Sequence, residues 1–152
     1  MTAEKRIVPK DVVVVGQSAG GWASIALSSL NPPQVKAIIT FAAGRGGRVG
    51  GKPNNNCAPD TLVEATREFG RTSRVPMLWI YIENDTFFGP ALSKRMHEAF
   101  TAAGGKAEYR LVPPFGNEGL HRLSRRHPDL VAARDEISRR AGMIGNGPNL
   151  DA

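Results

Sequence analysis

The sequence predicts an α/β fold, a parallel sheet of about four strands with flanking helices. Three observations lead there. Apolar runs of strand length alternate along the chain with stretches of helical periodicity. The first run, DVVVVG, is β-branched without polar alternation, the pattern of a strand covered on both faces. Glycine, proline and asparagine clusters fall between the two kinds of segment. Repeated βα units wind right-handed into parallel sheets. The 152 residues, 41% hydrophobic and 22% charged, suffice for one domain with its own core, and residues 1–152 read as a single unit without internal repeat.

The elements follow in order. DVVVVG ends at Gly16, and a helix pattern runs from Ala19 to Leu30, with Trp22, Ile25, Ala26 and Leu30 recurring until Asn31, Pro32 and Pro33 stop it. A second strand is expected from Val35 to Gly44. The polar stretch from Gly44 to Pro59 has the composition of a long loop, a kind of segment that is usually functional or mobile. Asp60 is placed to cap a helix over Thr61 to Phe69. Pro76 opens a third strand, VPMLWIYI, where a missing N–H costs little. Leu92, Met96, Ala99 and Phe100 stripe a helix from Gly89 to Ala103, closed by Gly104 and Gly105. AEYRLV is a fourth strand, and a last helix is expected from Asp129 to Arg140.

Composition narrows the function classes. A lone cysteine, Cys57, rules out an intrachain disulfide, fits a reducing compartment and reads as a loop thiol without metal-ligand spacing around it. The net charge of +6 comes from scattered arginines. The densest part, HRLSRRHPDLVAARDEISRRAG, interleaves them with Asp129, Asp135 and Glu136 as a solvated helix face does, and no nucleic-acid motif is present. The charged start and the short valine run match neither a signal peptide nor a membrane span. As written, the chain reads as cytoplasmic, with no nucleic-acid or membrane partner and no metal or organic cofactor.

The chemistry centres on GQSAG, Gly16 to Gly20, a G-x-S-x-G pattern between a strand and a helix, the context of a nucleophile elbow. Glycines are expected there because neighbouring Cβ atoms would clash in so sharp a turn. Ser18 would sit at the helix N-terminus, with the Ala19 N–H as first oxyanion donor. A serine needs a base, itself oriented by an acid, in the chain order acid then histidine. Asp85 follows the third strand, at the edge where ligand-facing residues gather, although it reads equally as a cap for the next helix. Glu83 is the competing carboxylate within the strand run. His121 follows the fourth strand in a glycine-containing loop; His97, mid-helix, and His127, beside Pro128, read as surface residues. Trp79, Phe87, Phe88 and Phe115 are candidates for an apolar pocket or for core, Trp79 favouring core.

These residues resemble the dienelactone hydrolase-like family of α/β-hydrolases, and the similarity runs through most of the chain. VPKDVVVVGQSAGG is similar to the family's lead into the elbow, VPMLWIYIENDTFFGP to its acid-bearing strand and YRLVPPFGNEGLH to its approach to the histidine. NNNCAPDTLVEATREFG is similar to a connecting segment of the same subgroup. The resemblance implies Ser18 as nucleophile, His121 as general base and then acid, and Asp85 as the residue orienting His121. Leu120 precedes His121 where relatives tend to have glycine. Serine in place of the cysteine of the dienelactone enzyme points to the esterase-like branch.

The resemblance also implies strands five to eight of an eight-stranded sheet, so about half of the family domain, with the loop giving a second oxyanion donor, lies outside this sequence. Losing one such donor costs about 10²–10³ in kcat. Val12–Val15 would become an edge strand open to pairing with a second copy. Two function classes stay open: a serine hydrolase of carboxylic esters or similar acyl compounds, with peptidase and acyltransferase chemistry using the same triad, and an inactive or partner-dependent fragment that binds.

Overall fold

The computed structural model describes residues 11–114. In chain order they form β1 (Val12–Gln17), α1 (Ala19–Ser28), β2 (Val35–Phe41), α2 (Pro59–Thr72), β3 (Met77–Ile82), α3 (Pro90–Ala102) and β4 (Ala107–Val112). A single 3₁₀ turn, Val49–Gly51, interrupts the loop between β2 and α2. The expected helix from Asp129 to Arg140, His121, His127 and Phe115 lie outside the described residues.

The four strands pair in parallel in the order β1-β2-β3-β4. Each strand is added on the same side of its predecessor, so right-handed crossovers carry α1, α2 and α3 to one face of the sheet. Period-two alternation then sorts the strand residues. Ile38, Met77, Trp79 and Tyr81 join Trp22, Ile25, Leu62, Leu92, Met96 and Phe100 of the helices in one buried cluster. Ile39, Leu78 and Ile80 face the other way, with Val13, Phe41 and Val112 beside them. All six residues of β3 are buried, as an apolar run without polar alternation requires. Among the described strands β1 lies at the edge of the sheet, with Val15 57% exposed.

Several boundaries differ from the sequence expectation for local reasons. α1 stops at Ser28 rather than Leu30: the Ser28 and Ser29 hydroxyls donate back to the carbonyls of Ile25 and Ala26. Such bonds compete with the helix ladder. β2 ends at Phe41, because Ala42 takes a left-handed conformation (φ 44°) and turns the chain. α2 starts at Pro59, capped by Ala58 in the left-handed region, so Asp60 is not the cap; it lies in the first turn, exposed, and pairs with Arg95. His97 is not a free surface residue. Its Nε2 lies 2.9 Å from the Ala107 carbonyl oxygen, and its ring meets Trp79 edge-on at 5.6 Å.

Gly70 shows how closely α2 and α3 pack. A Cβ there would lie 2.2 Å from the Phe100 carbonyl oxygen, so only glycine allows the two helix backbones to meet at this point.

Candidate active site

The C-terminal ends of the parallel strands bring Ser18 and Asp85, two of the three sequence-predicted triad residues, to one edge of the sheet, the edge that binds ligands in open α/β folds. Ser18 follows β1 and Asp85 follows β3.

Ser18 is the single residue between β1 and α1. Its backbone is at φ 51°, ψ −122°, a region that a side chain rarely occupies. Three hydrogen bonds hold it there. Its N–H donates to the Phe41 carbonyl at 2.9 Å, and its carbonyl accepts from the N–H groups of Trp22 (2.9 Å) and Gly44 (3.2 Å). The end of β2 and the first turn of α1 thus fix the serine jointly. Such strain costs about 1–3 kcal/mol and persists where the surroundings over-determine it.

Gly16 makes the turn possible, since a Cβ there would lie 2.5 Å from both the Gly20 carbonyl oxygen and the Ser24 hydroxyl. That hydroxyl donates to the same carbonyl, which locks the first turn of α1 against the strand. Gly20 differs from expectation: a Cβ there meets nothing within 4 Å among the described residues, and the tight partner is Gly21, against Ala43 at 2.9 Å. Ala19 is exposed and opens α1, so its N–H belongs to the N-terminal amides that have no acceptor within the helix.

Asp85 is 3% exposed. Its Oδ1 accepts from the N–H groups of Phe87 (2.7 Å) and Phe88 (3.0 Å), while its Oδ2 is buried and has no hydrogen-bond partner among the described residues. The carboxylate therefore caps a turn ahead of α3, whose cap residue is Gly89, and only one of its oxygens is engaged in doing so. Glu83, the competing carboxylate, follows the strand and is exposed. Behind Asp85, Tyr81 donates its hydroxyl to the Ala43 carbonyl at 2.8 Å and stacks on Tyr109. Burial first, then Tyr109 and the Asp85 charge, push the Tyr81 phenol well above its ordinary value. Trp79 and Phe88 belong to the core cluster, and Phe87 packs partly buried against it.

The polar loop between β2 and α2, read from sequence only as a loop, lies against the Asp85 turn. The Asn54 N–H donates to the Thr86 carbonyl at 2.8 Å, and its Oδ1 accepts from the Gly89 N–H at 3.1 Å. Asn56 Nδ2 donates to the Phe87 carbonyl. Arg48 donates to the Thr86 hydroxyl at 3.2 Å and lies 4.1 Å over the Phe87 ring. The partners are some 30 residues apart, so only the asparagine-rich composition hinted at them. Cys57 is an exposed free thiol. Among the described residues no group of three histidine, cysteine or acidic side chains could hold a metal, and no helix is long and apolar enough to cross a membrane.

The family model of the dienelactone hydrolases matches residues 1–116, a span that contains both Ser18 and Asp85. The chain belongs to the dienelactone hydrolase family. No curated protein sequence matches it. This family member is similar in fold to an esterase from Pyrococcus furiosus (TM-score 0.61, 11% identity, covering 88% of this chain and 54% of that one). It is likewise similar to a monoacylglycerol lipase from Paleococcus ferrophilus (0.58, 12%, 87% and 68%). A third similar structure is an acylaminoacyl peptidase from Pyrococcus horikoshii (0.57, 15%, 93% and 26%). The chain spans about half the length of the esterase. At these identities the likeness shows the fold, that of the α/β-hydrolases.

Proposed function

We propose that this dienelactone hydrolase family chain carries the nucleophile of a serine hydrolase acting on carboxylic esters or similar acyl compounds. The strained backbone of Ser18, between strand and helix, carries the reading. A non-glycine residue at this conformation between strand and helix is the backbone a nucleophile elbow needs, and the turn is held from both sides.

In the proposed mechanism the Ser18 hydroxyl oxygen attacks the acyl carbonyl while His121 accepts its proton. The Ala19 N–H receives the developing oxyanion. Collapse expels the alcohol, which takes the proton from His121, and leaves an acyl group on Ser18. Water then gives a proton to His121 and attacks the acyl carbon, releasing the acid and restoring the serine. Asp85 orients the imidazole. The half-engaged carboxylate supports that role: Oδ2 is buried without a partner among the described residues, a buried acceptor left unpaired is costly, and an imidazole N–H is the donor the proposal assigns to it.

The test is hydrolysis of a p-nitrophenyl ester by the chain and by Ser18→Ala, Asp85→Ala and His121→Ala. Loss of turnover in all three, with folding retained, is the expected result; turnover by Ser18→Ala equal to that of the parent would remove the proposal. One observation favours a second reading, a partner-dependent fragment. Among the described strands β1 lies at an edge with an exposed apolar residue, in a chain that covers about half of the esterase it resembles. Turnover that appears only on adding a separately made remainder of the domain would select it.

A further inference from the structure

We propose that Asn54, Asn56 and Arg48 are positioning residues that set the Asp85 carboxylate by clamping its turn from outside. The proposal rests on the serine hydrolase reading for its catalytic consequence, and on contacts around the turn for its structural one. Asp85 Oδ1 is held by the N–H groups of Phe87 and Phe88. Those amides point inward only while the turn keeps its shape. The outward groups of the same turn are taken by the loop: the Thr86 carbonyl by the Asn54 N–H, the Phe87 carbonyl by Asn56 Nδ2, and the Gly89 N–H by Asn54 Oδ1. Phe87 is thus bonded on both sides, its N–H to the carboxylate and its carbonyl to the clamp. Its ring lies under the Arg48 guanidinium, which also donates to Thr86.

The clamp is itself stiffened. Arg48 and Asn56 form an isolated antiparallel bridge, and the Val49 N–H donates to the Asn55 carbonyl at 2.7 Å. Gly89 is required where the clamp meets α3, because a Cβ there would lie 2.5 Å from Asn54 Oδ1. The polar loop therefore acts on the acid, and a small displacement of an orienting group can cost up to about 100-fold in rate.

Two isosteric substitutions of equal charge separate the idea from a general loss of stability. Asn54→Asp keeps the acceptor for the Gly89 N–H, whereas Asn56→Asp replaces the donor to the Phe87 carbonyl with an acceptor. The readouts, on the full chain, are amide exchange at Phe87 and Phe88 and the rate of serine labelling by a fluorophosphonate across pH. Asn56→Asp should speed exchange at both amides at least about tenfold and slow labelling about 10- to 100-fold. Its labelling profile should lie at lower pH than that of Asn54→Asp, since both add one carboxylate and only Asn56→Asp displaces the Asp85 carboxylate that favours the imidazolium. Asn54→Asp, which keeps the bond to the Gly89 N–H, should alter exchange and labelling rate about tenfold less than Asn56→Asp does. Unchanged exchange in Asn56→Asp, equal effects of the two substitutions, or faster exchange with unaltered labelling would each overturn the proposal. If the parent itself fails to label while exchange responds as expected, the clamp on the turn stands and the reading of Ser18 fails.

Discussion

Ser18 and Asp85 are held by opposite means. The serine is fixed through its backbone, and the carboxylate through one of its two oxygens. Gly16 is the residue on which the serine turn depends, because a methyl there meets backbone that cannot move aside. Gly16→Ala should cost about 1–3 kcal/mol in urea unfolding, whereas Gly20→Ala should cost about 0.5 kcal/mol or less. Equal losses would place the tight contact elsewhere. Ser18 was legible because a G-x-S-x-G pattern after a strand demands a sharp turn, but which glycine is essential depends on what packs against α1.

Tyr81 adds a pH dependence. Its native pKa is raised by burial, with Tyr109 and Asp85 adding to it, above an ordinary value of 10.0. Tyr109 shifts the same way, chiefly by burial. As pH rises, the unfolded chain releases these protons first. The stabilisation is therefore complete below about pH 10 and is lost as pH climbs towards the native values. Urea midpoints should fall above pH 10, and less steeply in Tyr81→Phe, which releases no proton there; identical slopes would contradict the assignment.

Among the elements, strands were the most legible and helix ends the least. β4 spans Ala107–Val112, the AEYRLV run read from the sequence, because pairing in a sheet and burial act on the same residues. α2 begins at Pro59 because Ala58 supplies a left-handed cap, a conformation that alanine gives no reason to expect. His97 marks another limit. Its mid-helix position reads as exposed, yet the Ala107 carbonyl and the Trp79 ring hold it between α3 and β4. His97→Ala should lower stability by about 1–3 kcal/mol in chemical denaturation. A change under about 0.5 kcal/mol would return it to the surface class. The clamp over the Asp85 turn was illegible for the same reason, since its bonds join segments that only the tertiary fold brings together.

At the scale of the molecule, strand order and crossover hand put every described helix on one face and the proposed chemistry at one edge of the sheet. The same order leaves β1 at the rim with Val15 exposed. A flat apolar rim invites pairing with another strand, and we propose that isolated chains associate through Val12–Val15. Val15→Lys should shift light scattering towards the monomer mass, and a monomeric parent would contradict the proposal. The fold was legible from apolar runs alternating with helical stretches and the family from four segments that resemble it, whereas the way one loop serves the acid was not.

The proposed role of Ser18 as nucleophile is tested by mass spectrometry of the folded chain after reaction with a fluorophosphonate, with the adduct located by peptide mapping. One adduct is expected, on Ser18, that fails to form in His121→Ala. A folded chain with no adduct, or with the adduct on another residue, would contradict it.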